Sequence, residues 1–452
     1  MMQRADASAR LAPSKPEKTA KAPRQKGAPQ QTPRQKANPQ QIGKPRQERA
    51  LKTSAQIAQA AIGVLAKHGL SRVTHRSVAA EAGVPLAATT YHYAAKPDII
   101  RAASTAILQH YVDALERTAE KYRRNADNAP SFREFVWRLL RKLAGDDRMM
   151  MMAWQEIGLD AVRGSESLAL MREWHEQFYR LWIKIAHATK TTDPKNTARS
   201  GIDVIQGLLL MVCALSLSPA EINQVLVGNG EPSRFWARRQ DGAGGQAATK
   251  SRSRKADETR GRILDAAIEI LVAEGPGAIG YRAIAERARL TVAAPAYYFP
   301  TTASLLESAQ RKLFEDSKTR YRDMMHALRP AEAHLADLTA ATFIREATEF
   351  AQANLANFAI WIEAGRRQQL APMVWSAIHD QDLAWRHILT AVPGARPPQP
   401  RDGILAQALF LGKLQRILSN GSKTSALAQI RTEFARDIAA IEAGRFWAQL
   451  AQ

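Results

Sequence analysis

Apolar residues recur along this chain at helical spacing. Ile57, Ala60, Ala61, Val64 and Leu65 form the stripe of an amphipathic helix, predicted over about 53–67. Gly69 supplies a residue tolerant of positive φ where that helix must stop. Thr74 is a good N-cap for a second helix over about 75–82, and a third is predicted over about 86–93. Between these two lies Gly83-Val84-Pro85, a tight glycine turn of the kind that joins the helices of a helix-turn-helix. No useful length alternates with the period of a strand, and Pro130, Pro194, Pro219, Pro330 and Pro393 fall between helical stretches. The pattern therefore predicts an all-α fold. The longest apolar run, Leu208 to Cys213, is short and has Asp203, Gln206 and Ser216 about it, so it reads as a buried core helix and not a membrane span.

The pattern repeats. Shifted by 206 positions, Ile57–Ile100 aligns without a gap on Ile263–Leu306, with twelve identities in 44 positions, among them Leu65/Leu271, Gly69/Gly275, Arg76/Arg282 and Tyr91/Tyr297. A duplicated unit is the simplest source of such a register. The composition marks the joints. Residues 1–49, rich in Pro, Gln, Lys and Arg, contain APRQKGAPQQ followed by TPRQKANPQQ and are expected to be disordered. Residues 237–256, ARRQDGAGGQAATKSRSRKA, read as a flexible basic linker. The expected layout is tail 1–49, head 50–100, bundle 101–236, linker 237–256, head 257–306 and bundle 307–452.

Charge points to a partner. The 452 residues carry a formal charge of +21, which favours a polyanion, nucleic acid ahead of a membrane surface. The tail holds twelve Lys/Arg against three Asp/Glu and reads either as an arm on DNA phosphates or as a solubilising segment. One cysteine, Cys213, rules out a disulfide framework and fits a reducing cytoplasm. The N-terminus is charged, without the apolar core of a signal peptide.

The third helix is where such a partner would be read. Helical spacing puts Leu86, Thr89 and Tyr93 inward and Ala87, Ala88, Tyr91 and His92 outward. Two alanines let a helix backbone approach a groove, and Tyr91 and His92 offer hydrogen bonds to phosphates and base edges. The segment VTHRSVAAEAGVPLAATTYHYAAKPDII (73–100) resembles the DNA-binding domain of the TetR family of transcriptional regulators, in its Ala82-Gly83-Val84, its Tyr91-His92-Tyr93 and its Lys96. The resemblance implies three DNA-reading helices followed by a helical bundle that binds an inducer and carries dimer contacts. The candidate DNA contacts are Thr74, Arg76, Pro85, Ala87, Ala88, Thr90, Tyr91, His92 and Lys96.

The second copy, IGYRAIAERARLTVAAPAYYFPTTASLL (279–306), departs from the motif. Arg289 takes the place of the turn glycine, Pro295 enters the third helix, and Thr302 replaces the lysine. Its candidate contacts are Tyr281, Arg282, Arg289, Ala293, Ala294, Tyr297 and Tyr298, in a head expected to bind DNA more weakly or not at all.

Past the heads the residues are less telling. Met151, Trp154, Trp174 and Phe178 are a candidate apolar ligand pocket, with core packing as the plain alternative. Late helices at about 196–217 with 219–228, and 402–419 with 424–447, take the family's dimerisation positions. They allow either an intrachain pseudo-dimer or a homodimer. No catalytic motif, metal constellation or cofactor site stands out, since the glycines at 242–245 follow no strand and Gly421-Ser422-Lys423-Thr424 lacks an upstream loop glycine. The expectation is a DNA-binding transcriptional regulator, a repressor released by a small apolar ligand. The alternative is a sequence-nonspecific DNA scaffold without a ligand response.

Overall fold

The computed structural model describes residues 39–163, 166–224, 254–327, 334–390, 396–399 and 401–446. Among these, every regular element is helical. The chain divides into two compact units, Met1–Arg49 and Ala50–Gln452. Most of the expected tail and linker lies outside the described residues, but two corrections are visible. Helix α1 runs Pro39–His68, so the last part of the expected tail is helical. Gln47, Glu48 and Arg49 are good helix formers that propagate the turns begun nearer the core. Likewise the helix Arg254–Ala273 begins inside the expected linker.

The first head is α1, α2 (His75–Ala82) and α3 (Leu86–His92). The predicted stripe of α1 is its buried face. After Gly69, at φ 76°, a short 3₁₀ turn at Leu70–Arg72 leads into α2. There Thr74 Oγ1 accepts from Ser77 N at 3.1 Å while Thr74 N donates to Ser77 Oγ at 3.0 Å, a capping box that satisfies two otherwise unpaired donors. At the other end Gly83 sits at φ 65°, its N–H donating to Ala80 O and that of Val84 to Ala79 O. These bonds close the helix in a left-handed cap and set the angle at which α3 leaves.

The second head, α10 (Arg254–Ala273), α11 (Tyr281–Arg287) and α12 (Ala293–Tyr298), repeats this geometry at the same offset of 206, as from Leu70 to Pro276. Its 3₁₀ turn is Pro276–Ala278, and Gly275 stands at φ 85° where Gly69 stands at 76°. Arg262 donates to Ala288 O as Gln56 does to Ala82 O, tying first helix to second in each head. Arg289 adopts φ 54° in place of Gly83, with Leu290 N donating to Ala285 O at 2.8 Å. The departure in sequence is thus absorbed as backbone strain, without a change of path. Pro295 also proves harmless to the helix. It is the third residue of α12, within the first turn, where backbone N–H groups have no helical partner.

A stability prediction follows from the two turns. Holding a side-chain-bearing residue left-handed costs about 1–2 kcal/mol, and a β-branched one more. Gly83→Val is expected to lose at least that much, since its Cβ meets nothing within 4 Å and the strain is purely conformational. Arg289→Gly releases comparable strain against a backbone-entropy loss of about 0.5–1 kcal/mol and is expected to be neutral or mildly stabilising. Urea midpoints of both variants check this; equal damage from both refutes it.

Long helices follow each head. The first series is α4 (Lys96–Arg124), α5 (Phe132–Ala144), α6 (Arg148–Val162), α7 (Glu166–Ala188), α8 (Pro194–Leu215) and the short α9 (Pro219–Ile222). The second is α13 (Thr302–Ala327), α14 (Leu335–Thr348), α15 (Ala351–Ala364), α16 (Ala371–Thr390), α17 (Asp402–Ser419) and α18 (Thr424–Glu442). α18 ends at Glu442, short of the expected 447, while residues 225–228 of the expected span 219–228 lie outside the described residues. α8 is long and apolar enough to cross a membrane, yet 94% of its apolar window is buried against other helices.

The densest packing joins the two series, where α8 crosses α17. Glycines make the approach possible: a Cβ on Gly412 would lie 1.7 Å from Asp203 O, and one on Gly207 would lie 2.0 Å from Ala408 O. Beside this crossing is a buried charge cluster. Lys413 Nζ lies 3.0 Å from Asp203 Oδ2, 3.0 Å from Glu433 Oε2 and 2.9 Å from Asp437 Oδ2. Arg416 Nε donates to Asp203 Oδ1 at 2.7 Å, and its Nη2 to Glu433 Oε2 at 2.6 Å. Burial opposes the charged form of Lys413, but Asp203, Asp437 and Glu433 outweigh it and raise its pKa above the usual lysine value.

Candidate nucleic-acid interface

α3 is seven residues long and is held at its middle and at its C-terminal end. Thr89, fully buried, donates to Leu86 O at 2.8 Å and lies 3.3 Å from His75 Nδ1 on α2. At its C-terminal end Tyr93 Oη is 2.8 Å from Ser54 Oγ on α1. With one side pinned in this way, the opposite side faces outward. Tyr91 is 79% exposed, Ala87 and Thr90 are exposed, and Ala88 and His92 are half-buried. The Tyr91 and His92 rings meet edge-on at 5.2 Å, so the phenol is braced without being covered.

The other candidate contacts divide. Arg76 on α2 and Pro85, the N-cap of α3, are exposed. Thr74 is exposed too, but its hydroxyl is spent on the capping box. Lys96 opens α4 and is half-buried; burial lowers its pKa, with Asp160 acting in the opposite direction.

Leu86 is a correction. Expected inward, it is 47% exposed. In so short a helix its first residue overhangs the end of the packed face, so helical spacing alone mislocates it. Val292, the same position 206 residues on, is 60% exposed. An apolar residue at this position in both copies reads as inward from sequence alone, so nothing in the sequence signals its exposure.

The second head presents a similar face: Tyr297 is 84% exposed, Ala293 and Arg282 are exposed, and Ala294 and Tyr298 are half-buried. Arg289 is exposed at the turn. Tyr281 is instead a structural tie, its hydroxyl donating to Phe299 O at 2.6 Å. Thr302, which stands where the first head has Lys96, brings no charge.

The candidate pocket residues of the first bundle lie together. Met151, Trp154 and Trp174 are buried, Trp154 and Trp174 stack at 6.0 Å, and Phe178 meets Trp174 edge-on at 5.3 Å. These aromatics pack on one another, as core side chains do. A cavity of about 220 Å³ lies in the second bundle, among α13 to α17.

Comparison with known proteins bears on the heads. Residues 263–309, the second head and the start of α13, match the family of bacterial regulatory proteins, tetR family. The match thus falls on the second copy, the one read above as departing from the motif, so its sequence retains the family pattern. Over 164 residues, 35% of this chain and 82% of the relative, the chain is 26% identical to the HTH-type nicotine-responsive transcriptional repressor HdnoR of Paenarthrobacter nicotinovorans. Together the two matches support a DNA-binding transcriptional regulator of the tetR family.

Proposed function

We propose that this chain is a tandem repressor: two fused family units in which one polypeptide supplies both halves of what is usually a dimer. The observation that carries the reading is α3, a short helix locked from behind by Thr89 and Tyr93 with Tyr91 exposed on its outer side. A duplex major groove accepts such a helix, with Tyr91, His92 and Thr90 at base edges, Leu86 against a thymine methyl, and Arg76 and Lys96 on phosphates. The repeated element boundaries support duplication. The name of the relative supports repression.

Charge favours pairing within the chain over homodimerisation. Asp203 lies on α8, whereas Lys413 and Arg416 lie on α17. Asp203 finds its Lys413 and Arg416 partners on α17, so the α8–α17 pair completes within one chain a cluster that the second bundle's Glu433 and Asp437 share. Unequal heads on one chain suit an asymmetric operator. Release by a small ligand and a cytoplasmic location complete the proposal.

The test is Tyr91→Ala combined with His92→Ala. Specific affinity is expected to fall by about 1–3 kcal/mol, with nonspecific binding retained. Removing residues 1–38 is expected to weaken binding to all duplexes alike and to flatten the salt dependence. A nonspecific scaffold would show the reverse: no discrimination to lose, and an affinity held mainly by the arm. Gel-shift titrations on specific and random duplexes at two salt concentrations separate the two.

A further inference from the structure

Two arginines cross between the halves of the chain. Arg366 follows α15, in the second bundle, yet its Nε donates to Ala66 O at 2.8 Å and its Nη2 to Leu65 O at 3.1 Å, at the end of α1 in the first head. Arg163 follows α6, in the first bundle, and donates from Nε to Val272 O at 2.7 Å and from Nη2 to Leu271 O at 3.1 Å, at the end of α10 in the second head. Leu65 and Ala66 become Leu271 and Val272 at the offset of 206, so the two grips are equivalent. Each bundle holds the opposite head by the last carbonyls of its first helix, the negative end of the helix dipole, where a guanidinium fork fits best.

The grip on the first head is the stronger. Arg366 is further paired with Glu156 Oε1 at 2.7 Å and Glu363 Oε2 at 3.1 Å, its side chain only 7% exposed. From α1 the contact passes to the reading helix through Ser54 and Tyr93, and to α2 through Gln56 and Ala82.

Arg366 stands two residues beyond α15, and α15 is a wall of the cavity in the second bundle, through Ala353, Asn354 and Asn357. The cavity's charges are compensated. Glu346 pairs with Arg320 at 3.2 Å, and Asp380 lies 3.7 Å from Lys318. The remaining lining combines rings, Phe314, Trp385 and Phe410, with amides bonded in pairs, Gln310 to Asn357 and Gln407 to Gln381, each at 2.5 Å. Such a lining suits a small uncharged molecule with an aromatic face and one or two hydrogen-bonding edges. At the helix starts where the second bundle has Leu335 and Leu338, the first has Phe132 and Phe135, packed against Trp182 at 5.8 and 5.0 Å.

We propose that the second-bundle cavity binds an effector of this class and that its occupancy acts across the chain on the first head, with Arg366 as the positioning residue that carries the change. The inference rests on the reading of the first head as the DNA reader and of the chain as ligand-responsive.

The experiment needs no knowledge of the ligand. Leu335→Phe with Leu338→Phe grafts the first bundle's rings into the cavity and stands in for an occupant. Its effect is measured in the full chain with Arg366 intact and with Arg366→Met, on two readouts: hydrogen exchange of the α1 amides near Leu65 and Ala66, and affinity for a duplex selected by the wild-type chain. Tyr297→Ala in all variants isolates the first head. With Arg366 intact, filling is expected to change α1 exchange and to shift affinity at least 5-fold. In the Arg366→Met background the shift is expected to fall below 2-fold. If that variant does not fold, Arg366→Lys, which keeps the charge but loses the fork, takes its place with the same expectation. Equal changes with and without the guanidinium overturn the inference, as does the absence of any change on filling with Arg366 intact. Altered exchange without altered affinity leaves the crossed coupling standing and overturns the assignment of DNA reading to the first head.

Discussion

Lys413→Met is expected to lower the unfolding free energy by about 3–5 kcal/mol, the loss that accompanies breaking a buried ion cluster by removing one partner. Methionine nearly matches the volume of the lysine stem, so the loss is electrostatic and not a cavity effect. Lys413 is fully buried, and its ammonium lies within 3.0 Å of Asp203, Glu433 and Asp437. Without it, the three carboxylates keep Arg416, the nearby Arg199, and Arg436, which reaches Asp437 at 2.9 Å from the edge of the cluster. Asp203→Asn in the same chain relieves part of that imbalance, so the double variant is expected to be more stable than the sum of the two single losses predicts. Urea unfolding of the three variants, read as a double-mutant cycle, checks this. A loss below about 1 kcal/mol for Lys413→Met, within the range of exposed pairs, refutes the buried cluster.

Gly412→Ala is expected to be at least as damaging. Overpacking a core costs about 1–3 kcal/mol when neighbouring side chains can yield. Here the added methyl would lie 1.7 Å from Asp203 O and 2.6 Å from its carbonyl carbon, which are backbone and cannot turn aside. α8 and α17 must move apart, and the movement draws Asp203 away from Lys413 and Arg416. A loss of at least about 3 kcal/mol follows from combining the two effects. Thermal unfolding together with the mass of the particle reads the result. Unchanged stability would show that the helices do not cross at this point.

What could be read in advance was local. The ends of α2 and α3, the turn at Gly83 and the register of the second head all follow from residues a few positions apart, whose spacing dictates hydrogen bonds and faces. Arg289 was legible as the odd residue at a turn, though not the φ of 54° it adopts there. Long-range partnerships were not legible. Asp203 sits in an apolar helix and looks like an interruption until Lys413, 210 positions on, is seen to meet it. Arg366 belongs by sequence to the second bundle, and nothing nearby announces that it holds α1. The cavity of the second bundle was not legible for a related reason: aromatic side chains fit a filled core and a lined cavity equally well, and only the volumes of facing helices decide between them.

Selection of a random duplex library on the full chain, with the enriched sites sequenced, tests most directly whether one chain, acting as its own dimer, reads DNA through α3. One enriched site built of two unequal half-sites is expected, with one half losing its sequence preference when Tyr91 and His92 are both replaced by alanine. A palindrome of equal halves, or no enriched sequence at all, would contradict it.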